Sequence, residues 1–173
     1  VSNMTLDSIE SYTKNGDVVL SNIEGLSGGA KVSLLKGNVN LKNLDLLNST
    51  SALEFRTTNG DMAAQNVKGT ELFSLIMSSQ KGKVSVNEFE GGNLLAECFW
   101  GEMTGQFSGT RFHGLLKLVN NKSEIKFTAE TGVKIDKDID DDHEKQILVS
   151  GGSPQKATFT GTNTIITVHL TKD

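Results

Sequence analysis

Ser27 stands in Gly25-Leu-Ser27-Gly-Gly29, which fits the G-x-S-x-G expression of serine hydrolases, where a strained strand-to-helix turn exposes a nucleophile. The residues that follow, Ala30-Lys-Val-Ser-Leu34, alternate as a strand instead of opening a helix, so the context that would activate Ser27 is missing. Asp136, Asp138, Asp140, Asp141, Asp142 and Glu144 offer the carboxylate oxygens that a hard cation prefers. They lack the central glycine of a calcium loop. The twelfth place from Asp136 or Asp138 falls on Ile147 or Val149, where a bidentate glutamate is required, so an EF-hand is excluded. An exposed acidic loop over residues 136–145 is the simpler expectation, with an irregular calcium site as its alternative. His113, His143 and His169 are far apart and share the chain with one cysteine, Cys98, so no paired-ligand spacing for zinc exists. Neither a Gly-x4-Gly-Lys nor a G-x-G-x-x-G phosphate cradle occurs.

Sugar-cleaving enzymes of the β-helical kind would need facing carboxylates, or calcium with a basic arginine, along one groove. Only Arg56 and Arg111 are present, and the strand acids recur at turns without clustering. The expectation is therefore a chain with no catalytic, cofactor-binding or metal-binding residues. Aromatic residues are densest at Phe89, Phe99, Trp100, Phe107 and Phe112. Exposed rings serve sugar binding, but Phe89 and Phe107 occupy apolar repeat positions and five units must fill an interior, so most of these rings are expected in the core. Trp100, directly before a turn glycine, is the ring expected at the surface.

The elements that must position these residues follow from self-similarity. Gly16, Gly37, Gly60, Gly82 and Gly101 are spaced by 21, 23, 22 and 19 residues, and Ser123 takes the glycine's place 22 residues further on. Apolar residues recur two and, less strictly, four places after each marker, which is the period of a strand with one buried face. Ile23, Leu44, Val67 and Phe89 stand at place seven; Asn22, Asn43, Asn66 and, out of series, Glu88 stand at place six. A strand, a corner and a second short strand at one fixed period predict an all-β, parallel β-solenoid of about 22-residue coils, with the asparagines stacked along its axis. Right-handed winding follows from the crossover rule. An antiparallel sandwich with hairpins at Asn15-Gly16 and Asn59-Gly60 is the competing architecture. Regular repeats are expected over residues 6–127, with short C-terminal strands in 146–173, at Gln146 to Ser150, Ala157 to Thr160 and Thr164 to Leu170, closing the stack.

At 173 residues the chain forms one domain, and its 18 glycines and single proline, Pro154, suit a turn-rich fold. The net charge of −4 arises wholly in residues 136–145, and no Lys/Arg stripe exists to displace phosphate counterions, so nucleic acid is excluded as a partner. No apolar run approaches the ~20 residues of a transmembrane helix. Repeat-like sequence begins almost at Val1, so a start inside a longer chain is expected. Sequons at Asn3, Asn48 and Asn121 are compatible with secretion.

The phrase Asn15-Gly-Asp-Val-Val-Leu-Ser-Asn-Ile-Glu-Gly25, set beside Asn59-Gly-Asp-Met-Ala-Ala-Gln-Asn-Val-Lys-Gly69, resembles the DUF4097 group of adhesin-like proteins. Phe112-His-Gly-Leu-Leu-Lys-Leu118 with Ser123-Glu-Ile-Lys-Phe127 is similar to the closing part of adhesin-like domains in fungal cell-surface proteins. The resemblance covers residues 6 to 127, with departures at Glu88, Gly105 and Ser123. It implies a non-catalytic binding or structural module of a surface or envelope protein, extracellular or at the cell surface. Its partner would be a protein or polysaccharide surface, or another copy of itself. The alternatives are a β-helical polysaccharide lyase or hydrolase and an intracellular scaffold.

Overall fold

The structure, a computed structural model, describes residues 2–6, 8–47, 51–122, 124–141, 143–149 and 155–172. It is all-β, with no helix among the described residues. The strands are β1 (Ser2–Leu6), β2 (Ile9–Asn15), β3 (Val18–Leu26), β4 (Ala30–Lys36), β5 (Val39–Leu46), β6 (Ala52–Asn59), β7 (Met62–Gly69), β8 (Ser74–Glu90), β9 (Asn93–Ser108), β10 (Gly114–Asn120), β11 (Ile125–Ala129), β12 (Ile135–Asp141), β13 (Glu144–Val149) and β14 (Gln155–Thr171). They form one large, mostly parallel sheet system with two runs. One run is β1-β3-β5-β7, continuing into the second halves of β8, β9 and β14 and ending on β11. The other is β2-β4-β6, continuing into the first halves of β8, β9 and β14 and ending on β10, β13 and β12.

Strands on either side of a marker glycine do not pair with each other. β2 pairs with β4, and β3 with β1 and β5, so Asn15-Gly16 and Asn59-Gly60 are corners and not hairpins. Each strand instead lies parallel to its equivalent one repeat later, as Val18↔Val39↔Met62↔Val84↔Met103 and Leu20↔Leu41↔Ala64↔Val86↔Gly105 show. Equal register at every step turns each apolar place of the repeat into a continuous buried column.

The marker glycines are required twice over. Gly37 and Gly60 have φ of 146° and 155°, and a Cβ on either would lie 1.9 Å from the carbonyl oxygen of the preceding marker. That inward carbonyl is satisfied by a side chain three places before the next marker: Thr57 Oγ1 donates to Gly37 O at 3.2 Å, Ser79 Oγ to Gly60 O at 3.1 Å, and Cys98 Sγ to Gly82 O at 3.4 Å. At the opposite corner Asn22, Asn43 and Asn66 all adopt left-handed φ of 51–52°, and the predicted asparagine stack is present. Asn43 Nδ2 donates to Asn22 Oδ1 at 3.0 Å, and Asn66 Nδ2 to Asn43 Oδ1 at 3.1 Å. Glu88 takes the same conformation, φ 60°, without the amide.

Three expectations are corrected. The described part of the acidic stretch, from which Asp142 is left out, is not a loop: it makes the antiparallel pair β12–β13, in which Lys145 Nζ meets Asp138 at 3.1 Å and Asp140 at 2.9 Å. The strand state wins because β13 buries Ile147 and Val149 and pairs antiparallel with the outer edge of β10. The sheet is consequently mixed and does not close. The C-terminal residues form one 17-residue strand, β14, which lies inside the sheet between β9 and β10–β11 instead of closing its end. Ala157, Phe159, Ile166, Val168 and Leu170 are all fully buried there, and a strand with such a face gains most where both its edges are paired. Gly105, the departure at place four, leaves room for rings: a Cβ there would lie 2.8 Å from Phe159 and 2.9 Å from Phe107. Ser123 and Asn48 fall outside the described residues.

Candidate functional site

Alternation along the second run sends every other side chain outward. Where β2, β4, β6, β8 and β9 lie side by side, the outward rows are Tyr12–Ser33–Arg56–Ser78–Glu97 and, two residues on, Leu35–Thr58–Gln80–Phe99. They line a groove of about 420 Å³. Tyr12 is 74 % exposed at one end and Phe99 50 % exposed at the other, four strand steps or about 19 Å apart. Between the two rings the floor carries hydroxyls, one carboxamide, one guanidinium and one carboxylate.

Arg56 is held in place from within the sheet. Its Nε lies 2.5 Å from Glu54 Oε1, and this hydrogen bond holds the Glu54 carboxyl below its ordinary value against the opposing effect of burial. Lys31 stands 3.9 Å from the other oxygen of Glu54. Arg56 keeps a side chain that is about half exposed, and Glu54 as well as Glu97 favours its charge. Among the described residues that line the groove Glu97 is the one carboxylate, and Glu54 stands beside it through Arg56.

A second groove, of about 450 Å³, follows the asparagine stack, lined by Asn22, Asn43 and Asn66 with Glu24, Asp45 and Lys68, and by Arg111 from the β9–β10 connection. Arg111 binds Glu88 at 3.3 Å and Glu90 at 3.4 Å. Its charge is spent where the asparagine series breaks.

The remaining candidates are dispersed. Ser27 sits in the turn between β3 and β4, where its carbonyl accepts a hydrogen bond from Ser51, and a strand follows it as the sequence predicts. Gly29, in the same turn, has φ 77° and no space for a Cβ, which would lie 2.5 Å from Ala52 O. His113 lies in the β9–β10 connection, His143 in the β12–β13 turn, and His169 on β14, bonded to Thr128 at 2.7 Å. Among the described residues no group of three or more His, Cys, Asp or Glu side chains could hold a metal ion. Cys98 is buried, and burial pushes its thiol pKa up, which makes it a poor nucleophile. Phe89, Phe107 and Phe112 are core residues, and Trp100 is 56 % exposed beside the corner glycine Gly101, as expected; Phe99, against expectation, is at the surface, because alternation along β9 turns Ala96 and Cys98 inward and Phe99 outward. Tyr12, Leu35, Thr58, Ser78, Gln80 and Glu97 are groove residues that sequence reasoning passed over. Parity was the available signal, since Ile9, Ser11 and Thr13 point inward and Tyr12 between them must point out.

No protein-family model, no curated protein and no solved structure matches this chain.

Proposed function

We propose that this chain is a non-catalytic, adhesin-like binding module of a surface or envelope protein, extracellular or at the cell surface, that recognises an extended polysaccharide on its sheet face. Its repeats wind as a right-handed β-solenoid of about 22 residues per coil. Parallel pairing at one-repeat offsets and the glycine and asparagine columns support that winding. The observation that carries the functional reading is the groove bounded by Tyr12 and Phe99 over a floor of Ser33, Arg56, Thr58, Ser78, Gln80 and Glu97. Rings present flat apolar faces for pyranose C–H surfaces, and a floor of mixed donors and acceptors can pair with hydroxyl groups at intervals along a polymer. Affinity for such a ligand rests on several shallow contacts, multiplied when many copies act together.

A glycan screen followed by titration of the best polymer tests this reading. Tyr12→Ala and Phe99→Ala should each weaken binding by up to about tenfold, the effect of losing one stacking contact of roughly 0.5–1.5 kcal/mol. Val19→Ala, exposed on the other run, should leave binding unchanged. Absence of any glycan ligand, or binding indifferent to both ring deletions, would overturn the proposal.

A further inference from the structure

The order of strands departs from the order of the chain at one place. Each repeat up to β9 stacks on its predecessor, but β14, last in the sequence, lies between β9 and the next unit, β10–β11. On one side β14 runs in register with β9 from Lys156↔Asn93 to Thr171↔Ser108. On the other it runs in register with β10 from Gly114↔Gln155 to Asn120↔Gly161, and with β11 from Ile125↔Ile166 to Ala129↔Leu170.

The sequence marks β10–β11 as the direct successor of β9. Ser123 follows Gly101 by 22 residues, and Ile125 and Phe127 occupy places two and four. In the structure the same residues fall in the repeat's own columns, one strand further out: Met103↔Ile166↔Ile125 and Gly105↔Val168↔Phe127. Both edges of the slot therefore carry the repeat register whether or not β14 lies between them. Side-chain hydrogen bonds tie β14 to both neighbours, and the one on the outer side repeats the corner contact, since Asn120 stands three places before the marker place and Thr164 is the register partner of Gly101. Thr164 Oγ1 donates to Cys98 O at 2.9 Å, and Asn120 Nδ2 donates to Thr164 O at 2.5 Å.

We propose that this slot is a strand-exchange site, and that the partner it accepts is β14 of a second copy of the chain. A strand held by parallel backbone pairing, by buried side chains and by hydrogen bonds such as Thr164 Oγ1 to Cys98 O, all made to its two neighbours in the sheet, finds identical contacts in any copy whose slot is open. At high concentration exchange conserves every contact and joins two chains. The inference is independent of the glycan-binding reading, because exchange leaves the groove across β2 to β9 intact.

The test uses the full chain in a Cys98→Ser background. Leu95 and Thr158 are register partners across β9 and β14, and neither is fully buried. One preparation carries Leu95→Cys, another Thr158→Cys, and a third both substitutions. Mixing the first two at high concentration and oxidising should give a disulfide linking the two chains. The double variant, oxidised when dilute, should form the bond within one chain and lose the capacity to form exchanged dimers in size-exclusion chromatography with light scattering. Exclusive intrachain bonding, with no cross-linking between the single variants under any concentration or mild denaturant, would overturn the proposal. Failure of the double variant to form the bond at all would do so too, since β14 would then not lie on β9.

Discussion

At the scale of single residues, Cys98 shows how a column assigns a role that an isolated side chain does not reveal. It occupies the place that Thr57 and Ser79 hold in earlier repeats, and its thiol satisfies a marker carbonyl as their hydroxyls do. Cys98→Ser should therefore be tolerated, within about 1 kcal/mol, whereas Cys98→Val should cost about 1–3 kcal/mol by leaving Gly82 O unpaired in the interior. Urea denaturation of the two variants separates these outcomes. Nothing in the sequence distinguishes a thiol with this duty from a reactive one. The three-residue offset gains meaning only when the glycine carbonyl is seen to point inward.

At the scale of elements, corners hold the units together as much as strands do. The asparagine stack was readable from spacing alone, because a left-handed corner in every repeat favours Asn and aligned amides can each donate and accept. Glu88 breaks it at the unit where Arg111 comes in to pair with the carboxylate. Glu88→Asn should extend the stack by one amide and relax the left-handed backbone, outweighing the loss of a partly exposed ion pair whose Arg111 keeps Glu90 as a partner. A net gain of up to about 1 kcal/mol is expected, read as a rise of roughly 2–4 °C in Tm. The β12–β13 pair shows the opposite case. A run of acids reads as solvated loop by composition, yet Lys145 and the unpaired edge of β10 make a hairpin of it. Its charges then lie on an outer strand, where they discourage sheet-to-sheet pairing.

At the scale of the whole molecule, charge pairs on the outer faces set how stability follows pH. The carboxyls of Glu54, bonded to Arg56, and Glu144, bonded to Lys117, are held below the ordinary value of 4.5. Their contribution is complete above that value and is lost as pH falls through the lowered folded pKa. Lys83 is raised above 10.5 by Glu102. Lys145 is also raised: burial acts against its charge, but Asp140 and Asp138 outweigh it. Those contributions are complete below 10.5 and are lost as pH rises through the folded pKa. Thermal melts from acid to alkaline pH should show a plateau between the two limits. Glu54→Gln should flatten the acid side, and no change in the acid limb of that variant would remove Glu54–Arg56 from the account.

The amino-acid sequence by itself determined what is local and periodic: strand alternation, corner glycines, the asparagine places and the buried rings Phe89 and Phe107. Each is imposed by backbone sterics or by burial of one strand face, and each repeats at a spacing visible without coordinates. Only the tertiary structure decided which strand neighbours which beyond β9. Parallel pairing is specified by register and apolar face, which β14 and β10–β11 share, and the energy that places β14 inside comes from burying both its edges at once. The groove from Tyr12 to Phe99 was decided there as well. Its residues are 87 positions apart in sequence, and only the stacking of successive repeats brings them onto one face.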